Sequence, residues 1–533
     1  MHRLVIDRRK LLVQAGGMAL FAGLGGPAWA APRFNRNPFT LGVAAGDPSP
    51  GGFVIWTRLA PEPLEPHGGM EAAVVGVRWE VAEDERFARI VRRGEAAAYP
   101  GLGHSVHVEV EGLRPHRPYW YRFFVEGYAE PSTVGRARTA PAPDQLVDRL
   151  RIAVAGCQAF PHGWYDAWGH MSREDDLDAV FHYGDYIYET AYHPATANLL
   201  VHDAQGKLFD RGHLGDEIFS VDDYRRRYAQ YKLDPHLQAA HASAAFVCSF
   251  DDHDVENNWA SAWDQNGTPP EVFALRRYAA MQAWYENMPV RAAQMPGTGG
   301  LTMFRRLDFG RLLRMHVLDT RSYRSDQLCE KPGQANCRAS EGPDTTILGP
   351  AQEKWLDQGL GASRARWNLV AQQVMVMPLY LPTATGSRTL RPSYDGWGGY
   401  PAARTRLIKS IADHRLTNVV VATGDAHIHA AATIPLDDRA PDGPAAATEF
   451  LATSITSGGD GAARELPHHR KLREASPNVG LLWNQRGYQT HEITPREWRT
   501  ELKVLDRVQT PGGALSTLAR FAVTPDKPGL HRA

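Results

Sequence analysis

The stretch FHYGDYIYET, residues 181–190, sets Asp185 beside a glycine and follows it with Tyr186 and Tyr188. A carboxylate and a phenol three positions apart, just past an apolar run, can share one metal ion. The same pattern also fits a strand that ends in a turn with packing tyrosines. Four more apolar runs end in chemically able residues. RIAVAG is followed by Cys157, and FVCSF by DDHDVENNW, with Asp251, Asp252, His253, Asp254, Asn257 and Asn258. RMHVL leads into DTRSYR, with Asp319 and Arg321, and VVVATG into DAHIH, with Asp425, His427 and His429. Ligands in open α/β sheets lie beyond the carboxyl ends of strands, so five ends decorated in this way point to one site.

Each end alone has a plainer explanation. Gly-Asp after a strand is a common turn, and DAHIH has the alternation of a strand edge. Asp319 and Arg321 can pair with structural neighbours. DDHDVENNW is harder to dismiss, because four ionisable residues in succession repel one another unless solvated or neutralised by a cation. Tyr186, on the opposite side of an extended segment from Asp185, is expected to pack; Glu189 is acidic and has no assigned role.

The elements that must position these side chains change character along the chain. Residues 36–145 alternate and are rich in Val, Trp, Tyr and Phe, with Gly and Pro between the runs. GLRPHRPYWYRF has the form of a fibronectin-type corner, a strand, a Leu-x-Pro turn and a strand opened by tyrosine. TAPAPDQLVDR reads as a linker, placing a boundary near residue 146. Beyond it, near-continuous apolar strands alternate with helical stretches: DDYRRRYAQYKL, EVFALRRYAAMQAWYENM, GPAQEKWLDQGL (Pro350 in its first turn) and PAARTRLIKSIADHR. The expected layout is a leader over residues 1–30, a β-sandwich over 31–145 and an α/β catalytic domain over 146–533.

The 533 residues are too many for one ordinary core. Lys and Arg number 59 against 60 Asp and Glu, which gives no support to a nucleic-acid surface or a polybasic membrane anchor. The amino-terminal segment has paired Arg8 and Arg9, a mildly apolar, Gly-rich run and Ala28-Trp29-Ala30. This has the form of a twin-arginine export signal; an ordinary secretory signal or a membrane anchor is the alternative. Its run is short against the roughly 20 apolar residues of a span, and no other stretch could cross a bilayer. The expected mature chain starts near Ala31, uses the twin-arginine export machinery and resides in the periplasm or outside the cell. There Cys329 and Cys337 could bridge or stay apart. Cys248, in AAFVCSF, reads as a buried small hydrophobe.

Taken together, GDYIYE, DDHDVENNW, LDTRSYR and GDAHIH, with a cysteine after the first strand of the second domain and a twin-arginine leader, resemble the PhoD-type alkaline phosphatase/phosphodiesterase family. The resemblance spans nearly the whole chain. The order of the motifs also resembles purple acid phosphatases. It implies a metallophosphatase αββα sandwich preceded by a fibronectin/Ig-like β-sandwich. It further implies Fe3+ held by Cys157, Asp185, Tyr188 and His427, and Ca2+ held by Asp185, Asp425 and an Asn of the acidic turn, Asn257 or Asn258, with Asn258 preferred. Asp252 stands where the wider superfamily places an Asn ligand and is a second candidate.

On this reading the substrates are phosphate mono- and diesters, attacked at phosphorus by a metal-bound oxo or hydroxo group. His253 and Arg321 are the candidate catalytic contacts to the phosphoryl oxygens or the leaving group; the guanidinium fork suits phosphate. Alternatively, Arg321 pairs with Asp319, and His253 donates a hydrogen bond from behind the ligands. No G-x-S-x-G elbow and no G-x-x-x-x-G-K-[ST] loop is present. Two competing readings remain. One is a phospholipase D-like diesterase of the same fold, with residues 375–386 as a candidate apolar lid. The other is a non-enzymatic exported protein that binds calcium and phosphate.

Overall fold

The strand ends that carry the acidic turns belong to two sheets laid face to face. The computed structural model describes residues 33–191, 199–297, 300–329, 337–338, 340–383 and 387–532. The leader and the expected start at Ala31 lie outside the described residues.

At the centre of the first, ten-stranded sheet run the parallel strands Leu150–Ala155, Ala179–His182 and Ala245–Cys248, all fully buried save Arg151. The second sheet has seven strands, and its parallel core is Leu313–Val317, Trp367–Ala371, Val419–Thr423 and Ala445–Leu451. Ile152, Val154, Phe181 and Val247 of the first sheet share one apolar core with Met315, Leu369, Val420 and Phe450 of the second. Burial on both faces explains why these strands read as continuous apolar runs. Helices cover the outer faces: Val221–Lys232, Pro235–Ser243 and Pro270–Asn287 on one side, Gly349–Gly361 and Pro401–Asp413 on the other. The result is the expected αββα sandwich.

The four helical stretches anticipated from sequence form, each starting within a few residues of its expected place. Ser220 caps the first of them, and Asp223 returns a hydrogen bond to complete a capping box. The carboxyl-terminal antiparallel run Gly487–Ile493, Trp498–Leu505, Leu515–Thr524 and Lys527–Arg532 was not anticipated. It extends the first sheet from Leu150–Ala155 outward.

The amino-terminal region is β-rich. A four-stranded antiparallel sheet (Val75–Ala82, Ile90–Ala98, Pro118–Val125, Gly135–Arg138) packs against Val43–Ser49, Gly52–Arg58 and Ser105–Val110. The tyrosine corner is present: the Tyr119 hydroxyl accepts from the Arg114 N–H at 2.9 Å. Val43–Ser49 also pairs in parallel with Ala245–Cys248, so three amino-terminal strands continue the ten-stranded sheet. Cys329 and Cys337 form a disulfide, with Cα atoms 5.1 Å apart, and Cys248 is buried and free. Among the described residues no helix is long and apolar enough to cross a membrane.

Candidate metal centre

Because the parallel strands of both sheets point the same way, their carboxyl ends open on one side. Cys157 follows Leu150–Ala155 by two residues, Asp185 follows Ala179–His182 by three and Asp425 follows Val419–Thr423 by two. The turns must come close to bring these side chains together. At Gly184 (φ +126°) a Cβ would stand 2.4 Å from the Asp251 nitrogen, so glycine there lets the turn with Asp185 lie against the turn with Asp251.

The structure brings Cys157, Asp185, Tyr188 and His427 together. The Tyr188 hydroxyl lies 2.8 Å from Asp185 Oδ2 and 3.2 Å from His427 Nε2, and Cys157 Sγ lies 3.3 Å from Asp185 Oδ2. Potential ligand atoms of Cys157, Asp185 and His427 all fall within 4.8 Å of one another, as do those of Asp185, Asp252 and His253, and those of Asp251, Asp252 and Asp425. Asp185 and Asp252 each belong to two of these groups, which therefore form one continuous cluster. Cys157, Asp185, Asp251 and Asp252 are buried, whereas His253, Asp425 and His427 retain partial exposure and mark the open side.

Electrostatics make this a place for cations. Burial, and then the charge of Asp252, push Asp185 well above the carboxylate range; burial and then Asp251 do the same to Asp425. Burial raises Asp251 to about 7 against the pull of Arg321. Burial opposes ionisation of Asp252 too, but there Arg321 and His253 win and its pKa falls. Burial, then Asp185, raises the Cys157 thiol, and burial holds His427 neutral by lowering it to about 3. Asp185 Oδ1 and Asp251 Oδ2 are buried with no hydrogen-bond partner, and Asp252 Oδ1 has only an ion pair with Arg321 at 3.5 Å. Orphaned oxygens facing one another in a low-dielectric pocket are costly unless a cation joins them. Sulfur, phenol, carboxylate and neutral imidazole around Asp185 suit a transition metal, and the all-oxygen side around Asp252 and Asp425 suits a hard divalent ion.

Asn257 turns away, its amide donating to Gln265 at 2.9 Å, while the Asn258 N–H donates to Asp252 Oδ2 at 2.8 Å. Of the two asparagines, Asn258 is the one beside the cluster. His253 Nδ1 lies 2.8 Å from Glu189 Oε2, and its ring stacks on Tyr188 at 4.2 Å, so it stands at the rim of the pocket. Glu189 also accepts from the Asn257 N–H at 2.8 Å, stapling two of the turns. Tyr186 packs as expected, its hydroxyl 2.9 Å from His241 Nε2. His429 faces away, toward the Lys503 carbonyl.

Arg321 requires a correction. Its side chain is wholly buried, with Nε 2.6 Å from Asp251 and both terminal nitrogens on Asp395 at 2.7 and 2.8 Å. A fork already filled by carboxylates cannot grip a phosphoryl group; Arg321 instead anchors the acidic turn. Asp319 is not its ion-pair partner but caps the turn through the Arg321 and Ser322 N–H groups.

Two residues at the site escaped the sequence reading. Asp395, which joins Arg321 to Arg324, lies five residues past Arg388–Leu390, a short exposed strand rather than a buried apolar run, so the strand-end rule does not reach it. Ser457, 2.6 Å from the Tyr188 hydroxyl, follows Ala445–Leu451; the small polar run TSITSGG after that strand was a usable signal.

Comparison with known proteins supplies the family. Residues 152–502 match the family described as PhoD-like phosphatase, and residues 26–141 its amino-terminal domain. Alkaline phosphatase D of Bacillus subtilis is 42% identical across 99% of this chain and 89% of its own length. The solved structure of PhoD superposes with a TM-score of 0.87 at 42% identity, covering 94% of this chain and 93% of that one. A purple acid phosphatase from yellow lupin shares the fold alone: TM-score 0.52 and 11% identity over 91% of this chain and 73% of that one. With a family match over most of its length and a relative this similar, the chain is a phosphoric ester hydrolase and belongs to the PhoD-like phosphatase family.

Proposed function

We propose that this metallophosphatase is exported by the twin-arginine route and hydrolyses phosphate mono- and diesters in the periplasm or outside the cell. The observation that carries the reading of the site is the meeting of Cys157, Asp185, Tyr188 and His427, from turns far apart in sequence, around shared carboxylate oxygens. Cys157, Asp185, Tyr188 and His427 would hold Fe3+, and Asp185, Asp252, Asn258 and Asp425 would hold Ca2+. When bound, these ions supply Lewis-acid neutralisation of the phosphoryl oxygens and lower the pKa of water. The residues do the rest. Asp185, in two ligand groups, would offer an oxygen to each ion. Arg321, locked to Asp251 and Asp395, keeps the acidic turn from springing apart. His253, held by Glu189, presents its ring to the leaving oxygen.

The test is elemental analysis and visible absorption of the native protein, with rates on p-nitrophenyl phosphate and bis-p-nitrophenyl phosphate. Iron and calcium in the protein, a coloured solution and turnover of both esters are expected. Tyr188→Phe should lose the colour and at least the ~10–100-fold in metal affinity or activity that even an outer-shell partner costs. Colour and activity that both survive this change would remove Tyr188 from the ligand set. A lipid-directed diesterase has one observation in its favour. Leu381 and Leu390, on the hairpin Tyr380–Pro382/Arg388–Leu390 within and beside the candidate lid, are 36% and 45% exposed. Residues 384–386 of that segment lie outside the described residues. Hydrolysis of phosphatidylcholine at a rate matching the soluble diester would favour that reading.

A further inference from the structure

Ser457 is wholly buried, and its hydroxyl meets three partners. It accepts from the Ala159 N–H at 3.1 Å, lies 2.7 Å from the Cys157 carbonyl oxygen and lies 2.6 Å from the Tyr188 phenolic oxygen. Its own place is fixed from behind: the Ser457 carbonyl accepts from Ser454 Oγ at 2.7 Å and from an Arg486 nitrogen at 2.5 Å.

A serine hydroxyl has one proton to give. Here that proton has two acceptors, the Cys157 carbonyl and the Tyr188 oxygen. While Tyr188 is a phenol it is itself a donor, with Asp185 Oδ2 at 2.8 Å to receive its proton, and the Ser457 proton rests on the Cys157 carbonyl. Once Tyr188 is a phenolate its oxygen can only accept. His427 Nε2, 3.2 Å away, would be spent on the same ion, which leaves Ser457 as the hydroxyl donor in reach among the described residues. The 2.6 Å separation already falls in the range of about 2.5–2.7 Å for a hydroxyl donating to an anionic oxygen.

We propose that Ser457 is a positioning residue for the metal ligand Tyr188. Its hydroxyl turns from the Cys157 carbonyl to the phenolate oxygen when that oxygen takes the metal, and so limits how strongly the phenolate donates to the ion. Because the same serine is tied to Cys157, it also holds the thiol turn and the phenol in register. This inference rests on the ferric reading of the site given above.

The test is the visible spectrum of iron-loaded Ser457→Ala and Ser457→Thr, with iron per chain measured on each. An undonated phenolate is the more electron-rich, so Ser457→Ala should hold iron and absorb at longer wavelength, and Ser457→Thr should return the band toward its original position. Iron-loaded Ser457→Ala with an unmoved band overturns the proposal. If neither variant folds, the unmodified protein decides. Resonance Raman excitation in the band should show the phenolate C–O stretch shifting between H2O and D2O, and an unchanged frequency overturns the proposal. An unmodified protein that is fully metallated and colourless instead defeats the ferric reading, and this inference falls with it.

Discussion

Five side chains of the cluster hang from left-handed backbone: Cys157, Asp185, Asn258, Asp425 and His427 have φ between 51° and 65°. Each such residue other than glycine costs about 1–3 kcal/mol of local strain. That strain, together with the crowding of carboxylates, places the binding cluster among the least stable parts of the fold in the absence of cations. Asp185→Asn keeps a residue that tolerates this backbone and removes a carboxyl whose ionisation the metal-free fold opposes. Stripped of metal by chelation, it should be more stable than the unmodified chain by roughly 1–3 kcal/mol, the cost of an unsatisfied buried polar group. Its iron and calcium content should fall at the same time; denaturant melts and elemental analysis read the two effects. Arg321→Met should move stability the other way, losing about 3–5 kcal/mol because Asp251 is left buried without its cation, while Asp395 keeps Arg324. Much of this cluster was legible in the sequence, because turns after buried strands advertise ligands by residue type: Cys157, Asp185, Asp252 and Asp425 all follow such strands. Arg321 was misjudged because its residue type suits phosphate and carboxylate equally, and only the position of Asp395, seventy-four residues on, decides between them.

At the scale of elements, the helix Val221–Lys232 carries a lysine into the core. Lys232 lies over the Trp56 ring at 4.2 Å and the Tyr186 ring at 5.1 Å, with the Cys248 thiol and the Arg58 guanidinium nearby. Burial lowers its pKa from 10.5 to about 7, and the rings offset only part of that cost. Between those two values the unfolded chain binds a proton that the folded chain does not, so Lys232 makes stability rise as pH goes from 7 toward 10. Compared with Lys232→Met in denaturant melts, the unmodified protein should close the gap as the pH is raised. A gap constant across that range would show the lysine charged in the fold. The elements themselves were readable where one periodicity ruled, as in Val221–Lys232 and Pro401–Asp413. The carboxyl-terminal strands were not, because Trp498–Leu505 and Leu515–Thr524 form a partly solvated antiparallel extension whose apolar content is diluted on one face.

For the molecule as a whole, the amino-terminal strands are built into the catalytic sheet. Val43–Ser49 pairs with Ala245–Cys248, and the Trp56 indole N–H donates to the Glu286 carbonyl at 2.9 Å. A chain lacking residues 33–141 should therefore expose a raw sheet edge and be recovered as aggregate, checked by size-exclusion chromatography of the soluble fraction. Trp56→Ala should cost about 3–5 kcal/mol while leaving the ligand set intact. The order of pairing has a consequence for biosynthesis. Leu150–Ala155 finds one neighbour at Ala179–His182 and the other only at Gly487–Ile493. At roughly 5–20 residues per second, a ribosome needs tens of seconds to supply that last partner. Nascent chains must stay soluble through this interval, and a polypeptide released early by a premature stop codon would lack the strand that flanks the cysteine turn.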